Sequence, residues 1–96
     1  MNEAIEVVVF QPRAGVSAQD VETAAQSITP VLESLDGYIS RDFGRADGGR
    51  YIDVVRWRDL SAAQAAADKV MQEPACGAFF SLIDETQMQM THYSKL

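Results

Sequence analysis

Cysteine, histidine and tryptophan each occur once in this chain, and proline three times. A single thiol, Cys76, has no partner for an internal disulfide and fits a reduced, cytoplasmic setting. With His92 as the only histidine, no Cys/His spacing of the metal-holding kind exists, and no metal site is expected. Basic residues are also scarce, eight Lys and Arg against fourteen Asp and Glu, for a net charge of −6. No run of them could follow a phosphate backbone, which argues against a nucleic-acid partner. The arginines at 41, 45, 50, 56 and 58 alternate with Asp42, Asp47, Asp53 and Asp59, and read as paired surface charge. The opening MNEAIEVVVFQPR has no basic leader and an apolar run only a strand long, so neither a signal peptide nor a membrane span is expected. No fixed-period repeat or low-complexity linker is present.

What is present is a large apolar fraction in a small chain. Ninety-six residues make one domain, 1–96. A domain of that size buries only roughly 60–65% of the surface its unfolded chain exposes. Yet 47% of the residues are hydrophobic, which suggests that part of the apolar surface is buried against a second copy.

The elements follow from hydrophobic spacing. AIEVVVF (4–10) is β-branched and apolar on both faces, as in the middle of a covered sheet. Ser17 is a candidate N-cap, with Asp20 at the positive helix end. Val21, Ala24, Ala25, Ile28, Leu32 and Leu35 then form one helical stripe. Pro30 lies inside that stripe and is expected to bend the helix without ending it, while Gly37 suits a left-handed C′ position. YISRDFGR (38–45) and RYIDVVRW (50–57) read as antiparallel strands joined through the ADGG turn. Ser61 and Gln64 form a capping box for a second helix with Ala63, Ala66, Ala67, Val70 and Met71 on one side, stopped by Pro74. ACGAFFSLI adds a short helical turn, and QMQMTHY (87–93) is an edge strand beside strand 1.

The order is β-α-β-β-α-β. This is an α+β, ferredoxin-like arrangement: a four-stranded antiparallel sheet with both helices on one face. Right-handed crossovers are expected to place strands 1 and 3 centrally, as a parallel pair. Val and Ile side chains on the uncovered face imply a dimer with two sheets packed face to face.

VVVFQPRAGVS, LDGYISRDFGR, VVRWRDLSAAQAA and PACGAFFSLID together resemble the dimeric α+β barrel superfamily, most closely its small antibiotic-biosynthesis-monooxygenase type. The resemblance implies a homodimer, and activities that range from cofactor-independent oxygenation through haem degradation and lactone isomerisation to none known. In the quinone-forming oxygenases of this superfamily a strand-3 tryptophan lines a pocket between sheet and helices, which corresponds to Trp57. An amide four residues earlier corresponds to Asp53, a carboxylate, and a helix-2 tyrosine falls near Ala63. The haem-degrading branch uses a histidine after strand 3 and an asparagine on strand 1. That histidine lies in the helical region, and here no histidine falls between residues 58 and 91 and strand 1 has no asparagine, so haem is discounted and no cofactor is expected.

Each candidate has two readings. Trp57 is either a pocket wall or a packing anchor for the corner between strand 3 and helix 2. His92 shares a strand face with Met88 and Met90. It is either a base at a pocket mouth, with a reference pKa of about 6.5, or a strand-end histidine bonded to a neighbour. Asp53, between Ile52 and Val54, either pairs with an arginine such as Arg41 or accepts a proton in a cavity. Phe79 and Phe80 cover the pocket or fill the core. Tyr38, Tyr51 and Tyr93 carry polar tips without further distinction. Cys76 reads as a small core residue, and Asp20, Glu22 and Glu33 as a solvated face.

Three functions remain open. One is a cofactor-independent monooxygenase for a small aromatic or phenolic compound, with His92 and Asp53 handling protons and Trp57, Met88, Met90, Phe79 and Phe80 holding the substrate. Another is a dimer that binds a small apolar ligand unchanged. The third is a dimerisation module whose bulky side chains leave no pocket.

Overall fold

The computed structural model describes residues 2–96. The elements run β1 (Ala4–Phe10), α1 (Ala18–Ser27), α2 (Thr29–Glu33), β2 (Tyr38–Arg45), β3 (Tyr51–Trp57), α3 (Leu60–Val70), α4 (Pro74–Phe80), a 3₁₀ turn (Glu85–Gln87) and β4 (Gln89–Ser94). They form a ferredoxin-like α+β fold with a single four-stranded sheet in the order β2-β3-β1-β4. β1 and β3 are central, but every adjacent pair is antiparallel, so the parallel central pair expected above is corrected. Each crossover joins strands that are not neighbours, β1 to β2 and β3 to β4. The parallel relation therefore falls on those separated pairs.

Helix boundaries depart from the sequence reading in three places. Pro30 has no N–H for the Gln26 carbonyl, and the helix breaks at Ile28 instead of only bending. The buried stripe nevertheless continues through Val21, Ala25, Ile28 and Leu32. α3 is capped by Asp59, whose carboxylate accepts from the Ala62 N–H at 2.8 Å, and not by Ser61. A carboxylate is the stronger acceptor, and Arg58 steadies it at 3.5 Å. α3 ends at Val70, before Pro74, which occupies the first turn of α4, where a missing N–H has no consequence. Gly37 has φ +86° in the turn entering β2, three residues beyond the helix cap Ser34. A Cβ there would come within 2.5 Å of the Ala62 Cβ, so glycine lets the β2 entry pass against α3.

The pleat divides the sheet into two surfaces. Ala4, Phe10, Tyr51, Val55 and Trp57 are buried on the helix side with Val21, Ile28, Leu32, Ala63, Cys76 and Phe79. The opposite surface carries Ile5, Val7, Val9 and Val54, all half-buried, and Ile52 at 41% exposure. No helix of the described residues is long and apolar enough to cross a membrane.

Aromatic contacts fix both ends of the helix side. Phe10 stacks on Tyr51 at 5.4 Å and meets Phe79 edge-on at 5.7 Å, while Trp57 meets Tyr38 edge-on at 5.9 Å. Between these supports α3 turns Ala62, Ala63 and Ala66 toward the sheet. Methyl groups are too short to fill that layer, and a void remains. Met71, expected on this buried side, is 73% exposed because it lies past the last turn of α3.

Candidate active site

The void is a cavity of about 550 Å³, open on one side, between the sheet and α2, α3 and α4. That volume is ordinary for a small-molecule site. Trp57, Phe79, Phe80, Met88 and Met90 all line it, as does Asp53. A module filled by bulky side chains is therefore not what this chain builds.

The acid on β3 takes the paired alternative. Arg41, on the neighbouring strand β2, donates from Nε to Asp53 Oδ1 at 2.9 Å and from Nη2 to Oδ2 at 2.8 Å. The remaining Nη1 donates to the Ala25 carbonyl at 2.7 Å, and the guanidinium lies 5.3 Å from the Phe43 ring centroid. Only 6% of the Arg41 side chain and 10% of that of Asp53 are exposed. This is the bidentate geometry that keeps a buried charge tolerable, and it occupies both carboxylate oxygens.

The second acid, Glu6, was not singled out from the sequence. It lies on the helix side of β1 directly across from His92 on β4, and it lines the cavity. His92 Nε2 and Glu6 Oε2 are 2.8 Å apart, with 24% and 14% of the two side chains exposed. His92 itself does not reach the cavity lining, so its expected place at a pocket mouth is corrected: it stands behind Glu6. Burial holds the Glu6 carboxyl above its ordinary value, and the adjacent His92 offsets part of that rise. When Glu6 is ionised, the imidazole N–H donates to it. Its signal was visible in AIEVVVF, where one acid interrupts an apolar strand at the same parity as Phe10.

Trp57 completes the wall. It is 1% exposed, and its indole Nε1 is buried without a hydrogen-bond partner among the described residues. It lies diagonally across the β1–β3 ladder from Glu6, since Ala4 pairs with Trp57 and Glu6 with Val55. Trp57 thus adds to the forces that favour the Glu6 carboxylate without closing a bond of ordinary geometry. Cys76 is fully buried at the cavity, and burial pushes its thiol up, away from the thiolate.

A second hollow of about 660 Å³ runs along α1, α2 and the edge strand β2. Its polar groups satisfy one another: the Tyr51 hydroxyl donates to Glu22 at 3.0 Å, and Arg45 pairs with Glu22 at 3.2 Å. It is wider open than the apolar cavity and presents no unpaired buried side-chain group among the described residues, so it is the weaker candidate for a site.

No family model matches this sequence, and no curated protein matches it. Solved structures do. SnoaB, a cofactor-independent oxygenase from Streptomyces nogalater, superimposes with a TM-score of 0.80 at 14% identity, over 100% of this chain and 95% of that one. A candidate antibiotic biosynthesis monooxygenase from Bordetella bronchiseptica gives 0.84 at 16%, over 100% and 99%. Another from Nitrosomonas europaea gives 0.77 at 10%, over 99% and 91%. The chain has the fold of the antibiotic-biosynthesis-monooxygenase proteins along its whole length. At these identities the likeness establishes fold alone.

Proposed function

We propose that this protein is a homodimeric, cofactor-independent monooxygenase for a small aromatic or phenolic compound, with the cavity between sheet and helices as its active site. The observation that carries this reading is an apolar cavity of about 550 Å³ with a burial-raised carboxyl, Glu6, in its wall and a histidine 2.8 Å behind it. The fold shared with SnoaB supports the reaction class.

Glu6 accepts the hydroxyl proton of the bound phenol, and His92 steadies the ionised carboxylate from behind. Loss of the proton makes the ring electron-rich enough to react with dioxygen. One oxygen atom stays on the ring as a carbonyl, two hydrogens leave the substrate, and the second oxygen departs as water. That balance needs no external reductant. Trp57, Phe79 and Phe80 supply flat contact area, and Met88 and Met90 adapt at the open side. Asp53 serves the site by position: its ion pair with Arg41 ties β3 to β2 and, through the Ala25 carbonyl, to α1.

The dimer rests on the uncovered sheet surface. Ile5, Val7, Val9, Ile52 and Val54 form a contiguous apolar patch with rim charges such as Arg56 and Asp42, 3.6 Å apart. A second copy packing sheet to sheet buries it. Light scattering at micromolar concentration is expected to give twice the protomer mass, and Val54→Asp to give the protomer. A wild-type protomer mass at that concentration would refute the dimer.

Activity is tested by incubating metal-free, flavin-free protein in air with a panel of phenols. The expected result is enzyme-dependent oxygen uptake with a product that has gained one oxygen and lost two hydrogens. Ligand-dependent thermal stabilisation without product would instead support a dimer that holds a small apolar compound unchanged.

A further inference from the structure

All three methionines of the described residues line one cavity, the one between sheet and helices. Met71 follows the last turn of α3, Met88 precedes β4 and Met90 lies within it. Of the side chains that line this cavity, five are exposed: Asp68, Met71, Glu85, Met88 and Met90. The others are buried or half-buried, so these five form the rim. Two of them are acids, and every apolar member of the rim is a methionine. Met71 is 73%, Met88 43% and Met90 49% exposed. An apolar ligand therefore enters between thioethers. Met90 pairs across the sheet with Val8, which also lines the cavity. The rim thus stays on the helix side, opposite the sheet surface assigned to the dimer. Peroxides oxidise two kinds of side-chain sulfur, thiols and thioethers. The one thiol is out of reach, since Cys76 is fully buried and burial holds it away from the reactive thiolate. The rim methionines are the sulfur atoms that a peroxide in solution meets.

Resting on the cavity as the ligand site, we propose that Met71, Met88 and Met90 are a peroxide-modification site, and that their conversion to sulfoxides weakens the cavity's hold on apolar ligands. At each residue the sulfur lone pair attacks one oxygen of hydrogen peroxide, an S–O bond forms and the O–O bond breaks. The proton of the attacked oxygen passes to the departing hydroxide, which leaves as water. The thioether is oxidised by two electrons, the peroxide is reduced by two, and no other reactant is needed. The modified rim carries three S–O dipoles beside two carboxylates and no apolar side chain. An apolar ligand that covers a sulfoxide oxygen strips its water and returns no hydrogen bond. The change is reversible, because a separate reductase acts on each sulfoxide epimer and regenerates the thioether.

The test titrates the uncharged fluorescent dye N-phenyl-1-naphthylamine into the protein before and after treatment with hydrogen peroxide. Peptide mass mapping is expected to find one added oxygen at each of Met71, Met88 and Met90. The treated wild type is expected to bind the dye at least about fivefold more weakly, on the ground that each sulfoxide adds a polar group to the rim. Incubation with both sulfoxide reductases is expected to restore the affinity, a comparison that needs no variant. In the triple variant Met71→Leu, Met88→Leu, Met90→Leu, checked for folding by circular dichroism, treated and untreated protein are expected to bind alike. That variant keeps Met1, so it also controls for oxidation there. Three sulfoxides with unchanged dye affinity would overturn the proposal. So would rim methionines that resist a peroxide concentration able to oxidise free methionine, or a triple variant that loses as much affinity as the wild type. An untreated protein that does not bind the dye at all sinks the cavity as a ligand site, and this proposal with it. Absence of oxygen uptake with phenols sinks only the monooxygenase reading and leaves the loss and recovery of dye binding as evidence for the modification site.

Discussion

Two carboxylates sit on the helix side of the two central strands, and the protein treats them oppositely. Asp53 is clasped by a guanidinium through both oxygens, within a network that reaches the backbone of α1. Glu6 has one hydrogen bond of ordinary geometry, to a histidine on the edge strand, and its carboxyl is raised by burial. The first arrangement lowers the cost of a buried charge by pairing it with an opposite one. The second leaves a group whose charge state is still adjustable, facing an empty space. On the proposed function, burial alone does not mark a working acid; incomplete satisfaction does.

The contrast can be broken most severely from the Asp53 side. Arg41→Ala strands a buried carboxylate and is expected to cost roughly 3–5 kcal/mol in urea unfolding. Glu6→Gln keeps the shape and is expected to change stability at neutral pH by no more than about 1 kcal/mol. If the two substitutions cost the same, the distinction between a structural and a working acid is lost.

A subtler break separates His92 from Glu6. His92 lowers the acidity threshold of Glu6, so His92→Ala is expected to push that threshold further up. The acid limb of the pH–rate profile should then move to higher pH, a change that mere loss of packing would not produce. An unmoved limb with a reduced rate would assign His92 a packing role only.

The smallest effect lies in stability against pH. The folded-state value of Glu6 is raised above the reference of 4.5, so the folded state favours the protonated acid. Its stabilising contribution is present below that reference and is lost as pH rises through the folded value. Wild type is therefore expected to gain stability relative to Glu6→Gln as pH is lowered through that window. A difference that stays flat with pH would mean that burial does not control this carboxyl.

Periodicity made much of the fold legible, and parity made part of the site so. Alternation puts Met88 and Met90 on one strand face, while the family resemblance is what points Trp57 at a pocket wall; both methionines, Trp57, Phe79 and Phe80 line the cavity. Arg41 was named for Asp53 because the hairpin brings β2 beside β3. Glu6 was missed because strand 1 was read as apolar on both faces, which submerged its one acid. The break at Ile28 and the start of α4 at Pro74 turned on whether a missing N–H falls in a first turn or mid-helix, which spacing alone leaves undecided. The cavity itself depends on how far sheet and α3 stand apart, a distance set by aromatic contacts remote in sequence.

The central claim is that Glu6, in the wall of the cavity, is the group that does the chemistry. Oxygen uptake over the uncatalysed background, with the panel of phenols and metal-free, flavin-free protein, tests it directly in wild type and Glu6→Gln at matched thermal stability. The expected result is measurable uptake by the wild type and a fall of more than tenfold in the variant. Equal rates in the two proteins would contradict it.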